Sequence, residues 1–169
     1  LGGELQDDFW NDVAKYKNPP FSNDLTSDEI QKIERSAMRR TQRYRIMSGK
    51  ECPNCHRRVN IKETEIEGHA HFNCTSEDCE EQWKTVPKDS IELIFRTKEF
   101  PMKVFSWQGE IDTLLTPMDS ILYYKSILQT GVVSIDPKTG FVKAWVGGNN
   151  YKHFQYDHVK QGKRQVGST

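Results

Sequence analysis

The sequence predicts an α+β protein whose helices and antiparallel strands are segregated along the chain. Three observations predict it. Apolar residues recur at helical spacing beside capping signals near residues 26 and 116. A strand, turn and second strand are signalled over 132–146. Residues 49–86 hold all four cysteines and three of the five histidines but few aliphatic side chains, so this stretch needs a cross-link rather than a core. The chain therefore divides into a helical segment (1–48), a cysteine-rich β unit (49–86) and a mixed unit (87–169).

The first segment opens with a helix. Leu5, Phe9, Val13 and Tyr16 recur at near-helical spacing, and Asn18-Pro19-Pro20 ends it. A second helix begins at "TSDE", where Thr26 and Glu29 have the spacing of a capping box. Ile30, Ile33, Ala37 and Tyr44 form its apolar stripe. Five arginines between Arg35 and Arg45 fall mostly on the other faces and read as a solvated basic surface. The chain as a whole carries 24 basic and 24 acidic residues, so it has no global attraction to nucleic acid or anionic lipid. A mean hydropathy of −0.79 and the absence of a long apolar run exclude a spanning helix from the sequence. Both ends look cut, which predicts an excised piece of a longer protein.

The cysteines are paired: Cys52 and Cys55 in "CPNC", Cys74 and Cys79 in "CTSEDC". Two short cysteine turns facing each other supply four tetrahedral thiolate ligands, the donor set of a structural zinc. The segment "RRVNIKETEIEGHAHFN" between the pairs and a tail through Trp83 would complete a zinc ribbon binding one zinc per chain. The wider Cys-x₄-Cys spacing leaves room for His56, His69 or His71 to replace one sulfur. Two disulfides and a redox pair are the other readings of four cysteines. A catalytic zinc needs an open coordination position, and four sulfurs leave none. The unit counts five basic and eight acidic side chains. Its sign argues against a nucleic-acid ribbon beside the arginine helix, because it repels phosphate.

Beyond the cysteines, "SIELIFRTKEF" returns to ordinary globular composition and "KVFSW" reads as a short strand. "TPMDSILYYKSILQTG" is a helix with Thr116 as N-cap, Pro117 as first residue and Gly131 beyond its end. Ile121, Leu122, Lys125 and Leu128 set its period. Val132–Ile135 and Phe141–Val146 flank the turn residues "DPKTG". Trp107 and Trp145 read as core anchors. Asp112 with Asp119, and Asp157 with His158, are candidate pairs. A helix start explains Asp119, and neighbours on a strand point apart, which discounts both.

The C-terminal third carries "IDPKTGFVKAWVGG", "FQYDHV" and "RQVGST". These resemble class A penicillin-binding proteins, the bifunctional peptidoglycan synthases. "ELQDDFW" and "SAMRRTQRYR" look like the helical connector between the two catalytic domains in versions from the Bacteroidetes group. The resemblance covers 88–169 closely and 1–47 loosely, with the cysteine unit as an insertion. It implies that the first motif is the opening hairpin of the transpeptidase sheet. It also implies that Ser168 is the acyl nucleophile of Ser-x-x-Lys, with Arg164 and Gln165 as supporting neighbours. The parent enzyme would polymerise glycan and transfer D-Ala-D-Ala stem peptides through an acyl-serine. Its ligands would be peptidoglycan precursors, stem peptides and β-lactams, with cell-wall synthesis proteins as partners and no nucleic acid. It would sit on the periplasmic side of the bacterial inner membrane behind a single anchor. The activating lysine would fall beyond Thr169, so residues 1–169 alone are expected to be inactive.

Overall fold

The computed structural model describes residues 2–66 and 69–163, and its architecture is α+β. Among the described residues, five helices and seven strands follow the order α1 (Gly2–Val13), α2 (Ser27–Arg40), α3 (Gln42–Met47), β1 (Ile61–Ile66), β2 (His69–Cys74), β3 (Gln82–Lys84), α4 (Lys88–Thr97), β4 (Phe100–Ser106), β5 (Gly109–Leu115), α5 (Pro117–Ser126), β6 (Val132–Ile135) and β7 (Val142–Val146). Three antiparallel sheets result: β1-β2-β3, β4-β5 and β6-β7.

The capping box at α2 forms as the spacing predicts. The Thr26 hydroxyl accepts from the Glu29 amide, and the Glu29 carboxylate accepts from the Thr26 amide at 2.9 Å. The stripe does not run unbroken to Tyr44. Thr41 takes an extended conformation, and its hydroxyl donates to Met38 O while accepting from the Tyr44 amide. One threonine thus ends α2 and starts α3, because its short side chain serves the free carbonyl and the free amide together. In α1, Val13 is buried but Leu5 is exposed and Tyr16 lies past the helix end, so the expected stripe is rotated. The buried partner of Val13 on α1 is Gln6.

The segment after Pro87 forms α4. Ile91 and Phe95, four apart, point inward and are fully buried, whereas Leu93 faces water. With Met38 of α2 and Met118 of α5 they make the main core, flanked by Tyr44, Met47, Val86, Ile121 and Leu122. "KVFSW" belongs to a longer hairpin, in which Phe100 pairs with Leu115 and Ser106 with Gly109. Two tyrosines of α5 hold this hairpin by one residue: Tyr123 Oη donates to Phe105 O at 2.6 Å, and the Phe105 amide donates to Tyr124 Oη at 3.2 Å.

Helix α5 starts on Thr116 and Pro117 but stops at Ser126, with Ile127 extended and buried. Gly131 is therefore not its terminator. A Cβ on Gly131 would come within 2.9 Å of the His158 side chain, so its smallness serves a close approach. The hairpin β6-β7 turns on Asp136, whose carboxylate accepts from the amides of Lys138 and Thr139, and on Gly140 at φ 73°. All of its strand residues are exposed. Trp145, 48% exposed, and Trp107, 36% exposed, are not core anchors. Trp107 lies edge-on to Phe105, and Trp145 donates to Asp157 at 3.0 Å.

Candidate metal centre

The four cysteines converge. Each lies in a tight turn closed by its own backbone bonds. In the first, the His56 amide donates to Cys52 O and the Cys52 amide to Arg57 O, while His56 sits at φ 57° to bring the chain around. In the second, the Cys79 amide donates to Ser76 O, and the Cys74 amide to Glu81 O. That turn absorbs the two extra residues of Cys-x₄-Cys, so the wider spacing costs no ligand.

The thiols are free. Cys52 Sγ lies 3.7 Å from Cys79 Sγ, and Cys55 Sγ lies 3.6 Å from Cys74 Sγ. All four Sγ atoms fall within 4.8 Å of one another. A tetrahedron with metal–sulfur bonds of ~2.3 Å has edges of ~3.8 Å, so the sulfur cage fits a single tetrahedral ion. Among the described residues no histidine joins this group. The His56 ring faces Glu51 instead, at 3.8 Å. Cys52, Cys74 and Cys79 are buried, with Trp83 packed against them. The Cys74 thiol is held down to about 6, first by its hydrogen bond with the Ser76 hydroxyl and then by the Ser76 backbone. A thiol so placed reaches the ligating, thiolate form easily.

The surroundings were not legible from spacing. Glu51, beside Cys52, is 2% exposed. Its carboxylate accepts from Gln42 Nε2 and Arg45 Nε, both at 2.7 Å, and from Arg58 Nε at 3.1 Å. Burial by itself would raise its pKa. The hydrogen bonds from Arg45, Gln42 and Arg58 outweigh that and hold it down to about 2. Asn54 Nδ2 approaches Cys79 Sγ at 3.8 Å. The unit is also fastened to the helices. Trp83 Nε1 donates to Ile46 O at 3.2 Å, and the Val86 amide donates to Met47 O at 3.1 Å. Phe72 lies tilted against Trp83, ring centroids 6.0 Å apart, and under Gly49, where a Cβ would meet its ring at 2.5 Å. Gly49 is at φ 75°, so glycine is required there twice over. Trp83 and Ile46 are 37 residues apart and Asn54 and Cys79 are 25 apart, while the nearer partners of Glu51 follow no helical or strand period, so neither set gives a sequence signal.

The other candidate residues separate. Ser168, Arg164 and Gln165 lie outside the described residues. Asp119 accepts from the Thr116 hydroxyl at 2.7 Å and acts as part of the helix cap, not as a partner of Asp112. Asp157 accepts from the amides of Lys160 and Val159 and from Trp145, and these bonds lower its pKa. The His158 ring lies edge-on to Tyr156, so the two make no dyad. No described helix is long and apolar enough to cross a membrane.

Residues 79–128 match the family model of the penicillin-binding protein middle domain. The match runs from Cys79 through β3, α4, the β4-β5 hairpin and α5, and leaves Cys52, Cys55 and Cys74 outside. A 44-residue stretch is 48% identical to penicillin-binding protein 2D of Bacillus subtilis (strain 168). That stretch is 26% of this chain and 6% of the relative, so the chain spans a small part of the relative's length. No solved structure matches.

Proposed function

We propose that the chain is a segment of a bifunctional peptidoglycan synthase of the class A penicillin-binding type. Residues 1–48 are the helical connector, 49–86 an inserted zinc ribbon, and 87–169 the connector's end with the start of the transpeptidase domain. The observation that carries this reading is the middle-domain match over residues 79–128, continuous with the motifs "IDPKTGFVKAWVGG" and "RQVGST". The exposed apolar residues on both faces of β6-β7 support the hairpin's assignment to a larger sheet.

In this reading Ser168 attacks the penultimate D-alanine carbonyl of a stem peptide. The terminal D-alanine leaves, and the acyl group passes from Ser168 to an amine on a neighbouring strand. A serine hydroxyl is a weak nucleophile until a positioned base takes its proton. In Ser-x-x-Lys that base sits one helical turn on. The contribution of residues 1–163 in this reading is mechanical: they set the spacing of two active sites and offer a face to wall-synthesis partners. The parent works outside the inner membrane, on peptidoglycan precursors and stem peptides, and β-lactams acylate the same serine. The test is labelling of the full-length parent by a fluorescent penicillin. Labelling is expected and is lost in Ser168→Ala. A folded parent that takes no label sinks the assignment.

We also propose that Cys52, Cys55, Cys74 and Cys79 hold one structural zinc. The support is the fit of the sulfur cage and the closed, four-thiol donor set. The ion would supply a cross-link and no reaction step. Elemental analysis of the purified chain should give one zinc per chain, with four reactive thiols after chelation. No metal and no reactive thiol would establish two disulfides instead.

A further inference from the structure

Helices α2 and α5 meet along a groove of about 670 Å³ that none of the described residues fills. Its floor is apolar, made by Ile33 and Ala37 on α2 and by Ile121 and Tyr124 on α5. Ser36 and Ser120 keep the walls low. Its lips carry Lys32, Arg40 and Lys125, and no carboxylate lines it. A second shallow hollow continues the same α2 surface past Arg35 and Arg39. Arg39, Arg40 and Lys125 have no carboxylate partner among the described residues, whereas Arg35 of α2 is paired with Glu92 of α4, and Arg96 of α4 with Glu34 of α2.

We infer that this groove docks an acidic amphipathic helix of a partner protein. Three features select that occupant. The lining residues recur as 32, 33, 36, 37 and 40 on α2 and as 120, 121, 124 and 125 on α5, which are two helical stripes facing one trough. Small side chains at Ser36, Ala37 and Ser120 let a third helix approach to the usual ~8–10 Å between axes. Unpaired cations flanking an apolar strip complement a helix with carboxylates on either side of an apolar face. A flat lipid surface would not reach a floor set between two helices. The α2 stripe spans ~12 Å, so the occupant needs about two to three turns. The inference stands apart from the wall-synthase reading, since it uses only the groove.

The probe is a synthetic capped amphipathic helix with leucine and alanine on one face and glutamate on both flanks, titrated into the isotope-labelled, zinc-loaded chain. A scrambled peptide of equal composition is the control. Shift changes are expected at Ile33, Ala37, Ile121 and Tyr124, with binding weakened by salt. Arg40→Glu with Lys125→Glu should weaken binding about tenfold or more, whereas Lys103→Glu on β4 should not change it. The inference is overturned by equal binding of the scrambled peptide, by indifference to the paired charge reversal, or by shifts confined to other surfaces. It is also overturned if phosphatidylglycerol vesicles, but not the peptide, perturb the groove, or if the groove is closed by a second copy of the chain.

Discussion

Glu51 shows how much a single side chain next to a cysteine turn can decide. A buried carboxylate is costly unless its charge is met, and here it is met by Arg45, Gln42 and Arg58 together. The arrangement links the first cysteine turn to α3, because Gln42 and Arg45 stand three apart on that helix and reach the same carboxylate. Glu51→Ala leaves Arg45 and Arg58 without their acceptor, but their side chains are 21% and 62% exposed and can turn to water. The expected loss is therefore about 2 kcal/mol, below the ~3–5 kcal/mol of a fully buried broken pair. Denaturant unfolding of the zinc-saturated chain measures it, and an unchanged midpoint would show that the network contributes nothing. The pH dependence has a definite sign. The folded state depresses this carboxyl from 4.5 to about 2, so its stabilisation is complete above about 4.5 and is lost as pH falls toward about 2. The gap between wild type and Glu51→Gln should accordingly stay constant above about 4.5 and narrow below it.

At the level of elements, α1 depends on one glutamine. Gln6 is fully buried, and its amide group behaves like a peptide unit: Nε2 donates to Ser126 O at 2.9 Å, and Oε1 accepts from the Leu128 amide at 2.8 Å. It thereby satisfies a carbonyl that the end of α5 leaves free. Trp10 adds a bond to Ser126 Oγ and a tilted contact with Tyr123. Gln6→Ala should cost about 1–2 kcal/mol, because two part-buried backbone groups lose their partners. Hydrogen exchange should rise in residues 2–13 and at Leu128, while α4 stays protected; uniform loss of protection would refute this anchoring role. The local rules read the caps at Thr26 and Thr116 correctly because capping joins residues three apart. They misread the inner face of α1 because its buried partner is polar, and a polar residue gives no apolar period. They extended α5 to Gly131 because Leu128 continues the spacing, whereas Gln6, more than a hundred residues away, ends the helix. Strand β5 and helix α4 were missed for a different reason. Their buried faces are short, and "GEIDTLL" offers little apolar alternation before it is paired with β4.

Across the whole molecule, two separate buried clusters sustain the fold. One is Met38, Ile91, Phe95 and Met118; the other is three of the four thiols with Trp83 against them. The cysteine spacing announced the second, but its attachment to the helices could not be read, since Ile46 and Trp83 are 37 positions apart. The β1 strand is exposed over five of its six residues, so the three-stranded sheet has little apolar area to sustain it without a cross-link. Metal binding in such a unit is folding free energy, on the order of 10 kcal/mol in comparable zinc peptides. The main core draws none of its four buried residues from 49–86. Chelation should therefore unfold the cysteine unit while the main core persists, and split one transition into two. Amide protection in 61–66 and 69–74 should vanish while that around Ile91 and Phe95 persists, and added zinc should restore it. Cys74→Ser should reproduce the chelated state without a chelator. Some loss should spread to α3, because Glu51, Trp83 and Val86 hold it from the cysteine unit through Arg45, Ile46 and Met47. If chelation leaves 61–74 protected, the sulfurs are not the cross-link of this unit; if it melts α4 and α5 as well, the two clusters are one cooperative fold.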